Sequence, residues 1–129
     1  MGQFGIAAYI ASKSIHEGTY SDPKEAWNFA IRQLTDSESV QNKGCPRHAY
    51  LGLCEAGLVK DIPVRNYGSP FQNKSYAVKA VKLLSQNPNL NKKQLWEAVR
   101  TNPKQTEDGQ MDVVRTLWDN GLINPYRTE

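Results

Sequence analysis

Most of the side chains able to do chemistry fall in one short run, Lys43-Gly44-Cys45-Pro46-Arg47-His48, with a second cysteine at Cys54. The run reads as the start of a helix. Pro46 suits the first helical position, where its missing N–H costs nothing, and Gly44-Cys45 supplies the turn before it. A helix start carries unpaired N–H groups and the positive end of the helix dipole, so it attracts anions. Lys43, Arg47 and His48 would add charge, and a phosphate, a nucleic-acid backbone or a carboxylate would fit. The same field would make Cys45 a more reactive thiol than most. The plainer alternative is a small cap residue with basic neighbours facing water, because every helix offers this dipole.

Other chemistries fit the spacing less well. Cys45, His48, Cys54 and His16 are ligand types that zinc accepts. However, Cys54 lies nearly two turns beyond His48 and about 120° round the helix from it. No metal and no cofactor are expected. Cys45 with His48 as base would make a nucleophilic pair, but no enzyme motif surrounds them. The acids are scattered and the glycines are dispersed, so neither paired catalytic carboxylates nor a phosphate loop can be assembled. Nine residues of helix set the two cysteines roughly 13 Å apart, too far for a disulfide. Two free thiols agree with a reducing compartment.

Helices must position this run. Phe4, Ala7, Ala8, Ala11 and Ile15 repeat at helical spacing up to about Glu17. Ser21-Asp22-Pro23 opens a second helix, with Asp22 as cap, Pro23 at the first position and Glu25 at the third. Its inward face is Ala26, Trp27, Ala30, Ile31 and Leu34. Thr35 to Lys43 reads as a loop. The central helix then runs to Gly57, which fits a left-handed stop that lets Leu58 fold back on Leu53. Val59 to Gln72 reads as an ordered linker or a short two-stranded hairpin. Asn73 is the expected cap of a fourth helix, ending at Asn87-Pro88. Asn91 caps a fifth, with Gln94 at its third position and Asn102-Pro103 closing it. The last runs from about Asp108 to Asn120. The fold class expected is all-α, with about six helices in one domain.

An internal likeness goes with this. LCEAGLVKDIP (Leu53 to Pro63) ends its helix as LWDNGLINP (Leu117 to Pro125) does. Phe4, Ile6, Ala8 and Tyr9 align with Tyr76, Val78, Ala80 and Val81, and Trp27 aligns with Trp96. Two three-helix units are expected, 1–64 and 73–129, packed together. Recurrent helix-ending chemistry and chance would also produce such matches.

The chain has 129 residues, 39% hydrophobic and 22% charged, with net charge +3. No apolar run is long enough to cross a bilayer, the N-terminus lacks a signal-like core, and Ile6 breaks the myristoylation pattern. The expectation is a cytoplasmic protein with no membrane partner. The charge is uneven: six Lys/Arg against seven Asp/Glu up to Val64, then ten against six. Three helices resemble a helix-turn-helix module, with the linker as wing. The first functional reading is therefore nucleic-acid binding or regulation. Lys43, Gly44, Cys45, Arg47 and His48, with Lys79, Lys82, Lys92 and Lys93, would meet nucleic acid or another anionic partner. The alternative is a protein-interaction module, a homodimer or scaffold with no catalysis, exposing Trp27, Trp96 or Tyr67. A cysteine-dependent enzyme ranks third.

The segments KGCPRHAYLGLCEAGLV and NKSYAVKAVKLL resemble a small family of bacterial proteins of about this length. That resemblance covers most of the chain. It implies a bacterial cytosolic protein and carries over no catalytic residue.

Overall fold

The computed structural model describes residues 2–124. They form α1 (Gln3–His16), α2 (Pro23–Leu34), α3 (Glu38–Gln41), α4 (Gly44–Glu55), α5 (Phe71–Gln86), α6 (Lys92–Val99) and α7 (Gln110–Asp119). The fold is all-α: six main helices and the single turn α3, which lies inside the expected 35–43 loop. Pro125, which closes the second matching stretch, lies outside the described residues, as does the rest of that unit to Glu129.

Local chemistry starts several helices as the sequence indicates. Asp22 accepts from the Lys24 N–H, with Pro23 at the first position of α2. Asn91 and Gln94 form a reciprocal capping box on α6. Two starts differ from expectation. α4 begins at Gly44, so Pro46 takes its third position, still inside the first turn, where no intrahelical N–H bond is lost. α5 begins at Phe71 after Pro70, two residues ahead of Asn73. Asn73 instead accepts a hydrogen bond from the Gln110 side-chain amide, at 3.2 Å.

Both glycine stops form. Gly57 and Gly121 have φ of 74° and 70°, a region open to glycine at little cost. Leu58 N–H then bonds Leu53 O at 3.0 Å, and Leu122 N–H bonds Leu117 O at 2.9 Å. The two chain segments that leave these stops meet. Val59 and Ile123 form an antiparallel bridge. Lys60 N–H donates to Leu122 O at 2.9 Å, and Asn124 N–H donates to Leu58 O at 2.8 Å. The second bond repeats the first with the roles of the two segments exchanged, which is a local two-fold relation.

No hairpin forms between 59 and 72. Val59 pairs with Ile123 instead, and the Glu55 carboxylate takes the N–H groups of Tyr67 (2.8 Å) and Ser69 (3.0 Å) that a hairpin ladder would have used.

The helix packings between the two three-helix sets obey the same exchange. α1 packs along α7, α5 packs along α4, and α4 meets α7 between them. Small residues permit the close approaches. A Cβ at Gly52 would stand 2.6 Å from Lys74 Cα, and one at Gly5 would stand 2.8 Å from the Asp112 carbonyl oxygen. The core runs unbroken through all of this, from Ala7, Trp27, Tyr50 and Leu53 to Val81, Leu95, Met111 and Leu117. α4 is central: Ala49 to Cys54 are all buried, and no residue from Gly44 to Glu55 is exposed.

Candidate functional site

The start of α4 sends its side chains in different directions. Lys43, its N-cap, forms an ion pair with Asp108 at 2.5 Å, and its ammonium lies over the Phe4 ring. The Asp108 hydrogen bond holds the Lys43 pKa above the ordinary lysine value, with the charge on Asp108 adding to it and burial opposing. The His48 ring lies against Gly44, where a Cβ would stand 3.1 Å from its Cε1. Burial, then the charges of Arg47 and Lys24, push the imidazole below its ordinary value, which favours the uncharged ring. The Arg47 Nε is buried and has no hydrogen-bond partner.

No hydrogen bond joins Cys45 to His48, and no group of three or more metal-ligating side chains gathers among the described residues. Cys54 is fully buried, and burial pushes its thiol far above the ordinary range.

Cys45 turns elsewhere, into a cleft of about 310 Å³ that it shares with Gln72, Asn73, Tyr76, Trp96, Lys104, Gln105, Thr106 and Gln110. Three long-range packings build it. Cys45 comes from the first turn of α4, Gln72 and Asn73 come from the first turn of α5, and Gln110 is the first residue of α7. The Tyr76 hydroxyl, on a residue only 3% exposed, bonds Gln72 Nε2 (2.8 Å), Thr101 Oγ1 (3.2 Å) and Gln105 Oε1 (2.5 Å). The Trp96 indole N–H donates to Gln105 O at 3.3 Å, and its ring meets Tyr76 edge-on. These bonds fold the 100–109 loop over the cleft as one wall.

The positions that match by the internal likeness are filled differently. Cys45, Tyr76 and Gln110 correspond to Gly109, Phe4 and Pro46. There the seam is closed and apolar: a Cβ at Gly109 would stand 2.5 Å from the Phe4 ring and 3.1 Å from Pro46 Cβ. One seam is sealed by hydrocarbon, and its counterpart is open and lined with amides, a phenol and a thiol.

The basic residues read from the sequence do not converge on this cleft. Lys79 and Lys82 are exposed on the outer side of α5. Lys92 reaches the buried Asp112 at 3.3 Å. Lys92 and Lys93 border a groove that also holds Glu97, Arg100 and Glu107, which is a mixed-sign surface. Lys104 is the cation on the cleft itself. The two tryptophans expected as contact residues are buried, Trp27 at 1% and Trp96 at 5% exposure. Among the described residues the exposed large apolar side chains are Phe71, Val64 and, less so, Phe29.

Sequence reasoning singled out Cys45 and counted Lys104 among the basic residues of the second half, but missed Gln72, Tyr76, Gln105 and Gln110. The only sequence signal pointing to them was the polar character of Tyr76 and Gln110 where the matching positions are Phe4 and Pro46.

No curated protein and no solved structure matches the chain. A family described as "Family of unknown function (DUF6979)" matches residues 1–124, and the chain belongs to that family.

Proposed function

We propose that the chain is a regulatory binding module that takes a small anionic molecule, bearing a phosphate or carboxylate, in the cleft at the head of α4. One observation carries this reading: α4 and α5 both begin at the cleft, and no side chain caps either start. Two helices therefore direct positive dipole ends and unpaired N–H groups to one place. Lys104 adds a full charge there, and the amides of Gln72, Asn73, Gln105 and Gln110 offer both donors and acceptors. α7 contributes less, because Glu107 already accepts from the Gly109 and Met111 N–H groups.

Nucleic acid as the anion is less well supported. A reading helix needs an exposed face for the groove, and α4 has none between Gly44 and Glu55. On α7 only Asp119, at the last position, is exposed.

The test is thermal unfolding and the Trp96 indole N–H resonance of the full chain at constant ionic strength, titrated with inorganic phosphate and with short mono- and dicarboxylates. A ligand at a hundredfold its Kd adds about 2.7 kcal/mol of stability, a readily measured rise in Tm. Lys104→Ala, which removes an exposed side chain, is expected to weaken that rise. The reading fails if no probe raises Tm, or if the rise is unchanged in Lys104→Ala and leaves the Trp96 resonance unmoved.

A further inference from the structure

α5 turns Tyr76, Ala77, Ala80, Val81 and Leu84 into the core, yet its other side is not simply polar. Phe71 and Val78, seven residues apart and so on one side of the helix, line a groove of about 320 Å³ with Lys74, Ser75 and Lys79. Phe71 is 83% exposed. Burying such a ring is worth about 1.5–3 kcal/mol, which a partner seated in the groove would gain. One lysine of the rim, Lys79, carries a charge that no carboxylate of the lining answers. Lys79 is exposed, and the stem of Lys74 forms one wall while its ammonium reaches Glu55 at 3.2 Å. The uncapped start of α5 lies at Phe71 itself and adds its positive dipole end.

We propose that this groove docks an acidic amphipathic helical segment of a partner protein. Apolar side chains of the segment, spaced one or two turns apart, would sit on Phe71 and Val78. Its Asp and Glu residues would face Lys79 and the start of α5. The charge selects this occupant. A second copy of the chain placed on the same face by a two-fold axis would bring two copies of Lys79 and of the α5 start together, with no carboxylate among the lining side chains to answer them. A bilayer offers a flat surface, whereas the groove is shaped for a ridge of side chains. The groove and the cleft share the start of α5, but Phe71, Val78 and Lys79 line the groove alone.

The test uses the isotope-labelled full chain and two synthetic helical peptides of one leucine pattern, one with glutamates on the polar face and one with lysines. The glutamate peptide is expected to bind saturably and to shift resonances around residues 71–82. Its affinity should fall as salt rises. Phe71→Ala and Lys79→Glu, both at exposed positions, are each expected to weaken it by about tenfold, the equivalent of about 1.4 kcal/mol. Four results would overturn the proposal: no saturable binding of the glutamate peptide; equal binding of the lysine peptide; self-association in sedimentation that Phe71→Ala abolishes; or co-sedimentation with anionic phosphatidylglycerol vesicles that both substitutions abolish.

Discussion

Asp112 joins one end of the chain to the other. Its carboxylate accepts the Gly2 N–H at 2.9 Å and the Gly5 N–H at 2.6 Å, and it meets the Lys92 ammonium at 3.3 Å. α1 has no capping side chain of its own, so its cap comes from α7, 107 residues away from Gly5. Removing that acceptor strands N–H groups in a buried seam. Asp112→Ala is expected to cost about 2 kcal/mol in urea unfolding, and Asp112→Asn less, since its amide oxygen can still accept.

The cysteines differ just as sharply. Cys54 is fully buried beside Tyr50, whereas Cys45 is half-buried on the cleft wall. A thiol reagent is expected to modify one cysteine per native molecule and two in urea, with Cys45→Ser abolishing the native reaction. The inward direction of Cys54 was legible, since helical spacing places it with Tyr50 and Leu53. The surroundings of Cys45 were not. Gln110 reaches the cleft only because α7 packs across α4, and no local pattern encodes that crossing.

At the scale of elements, one side chain fastens the far end of the 59–70 linker. Glu55, at the end of α4, binds the Tyr67 and Ser69 N–H groups and the Lys74 ammonium, with its own side chain 9% exposed. The Ser69 hydroxyl adds a bond to the His48 carbonyl at 2.8 Å. Burial pushes the Glu55 carboxyl up, but the Ser69 and Tyr67 N–H groups and Lys74 together outweigh it, and the pKa lies below its ordinary value of 4.5. A carboxyl lowered by folding contributes stability that is present above its unfolded pKa and lost as pH falls through the folded one. The urea midpoint is therefore expected to drop as pH falls below about 4.5, and Glu55→Gln should remove that part of the slope. An unchanged slope in Glu55→Gln would assign it to other carboxylates.

Elements specified by neighbours in sequence were the legible ones. Asp22 with Pro23, Asn91 with Gln94, and the glycine stops at 57 and 121 all act within about five residues. The start of α5 was misread because Asn73 has the chemistry of a cap, while the true start is set by Pro70 and by tertiary bonds at Ser69. Of the two readings of 59–72 the ordered linker holds and the hairpin does not, because Glu55 and Ile123 compete for that backbone from a distance.

Across the whole molecule, the contacts cross between the two three-helix sets. α1 lies on α7, α5 lies on α4, and the Val59–Ile123 bridge joins the segments that leave the two glycine stops. Each set thus keeps part of its core on the other. A chain of about 60 residues buries only about 60% of its unfolded surface even when it folds well. A half deprived of its crossing partner would fall below that. Cutting the chain after Gly68 leaves α1–α4 in one fragment and α5–α7 in the other, with the break at an exposed glycine between two N–H groups that Glu55 holds. Neither fragment alone is expected to show cooperative unfolding by circular dichroism. An equimolar mixture should regain the helical signal of the intact chain, with a midpoint that rises with concentration because folding has become association. A fragment that unfolds cooperatively by itself would mean that its helices can close a core without the crossing. The exchange of α1 and α5 between the two sets would then be a consequence of joining two stable units, and not the condition for either to fold.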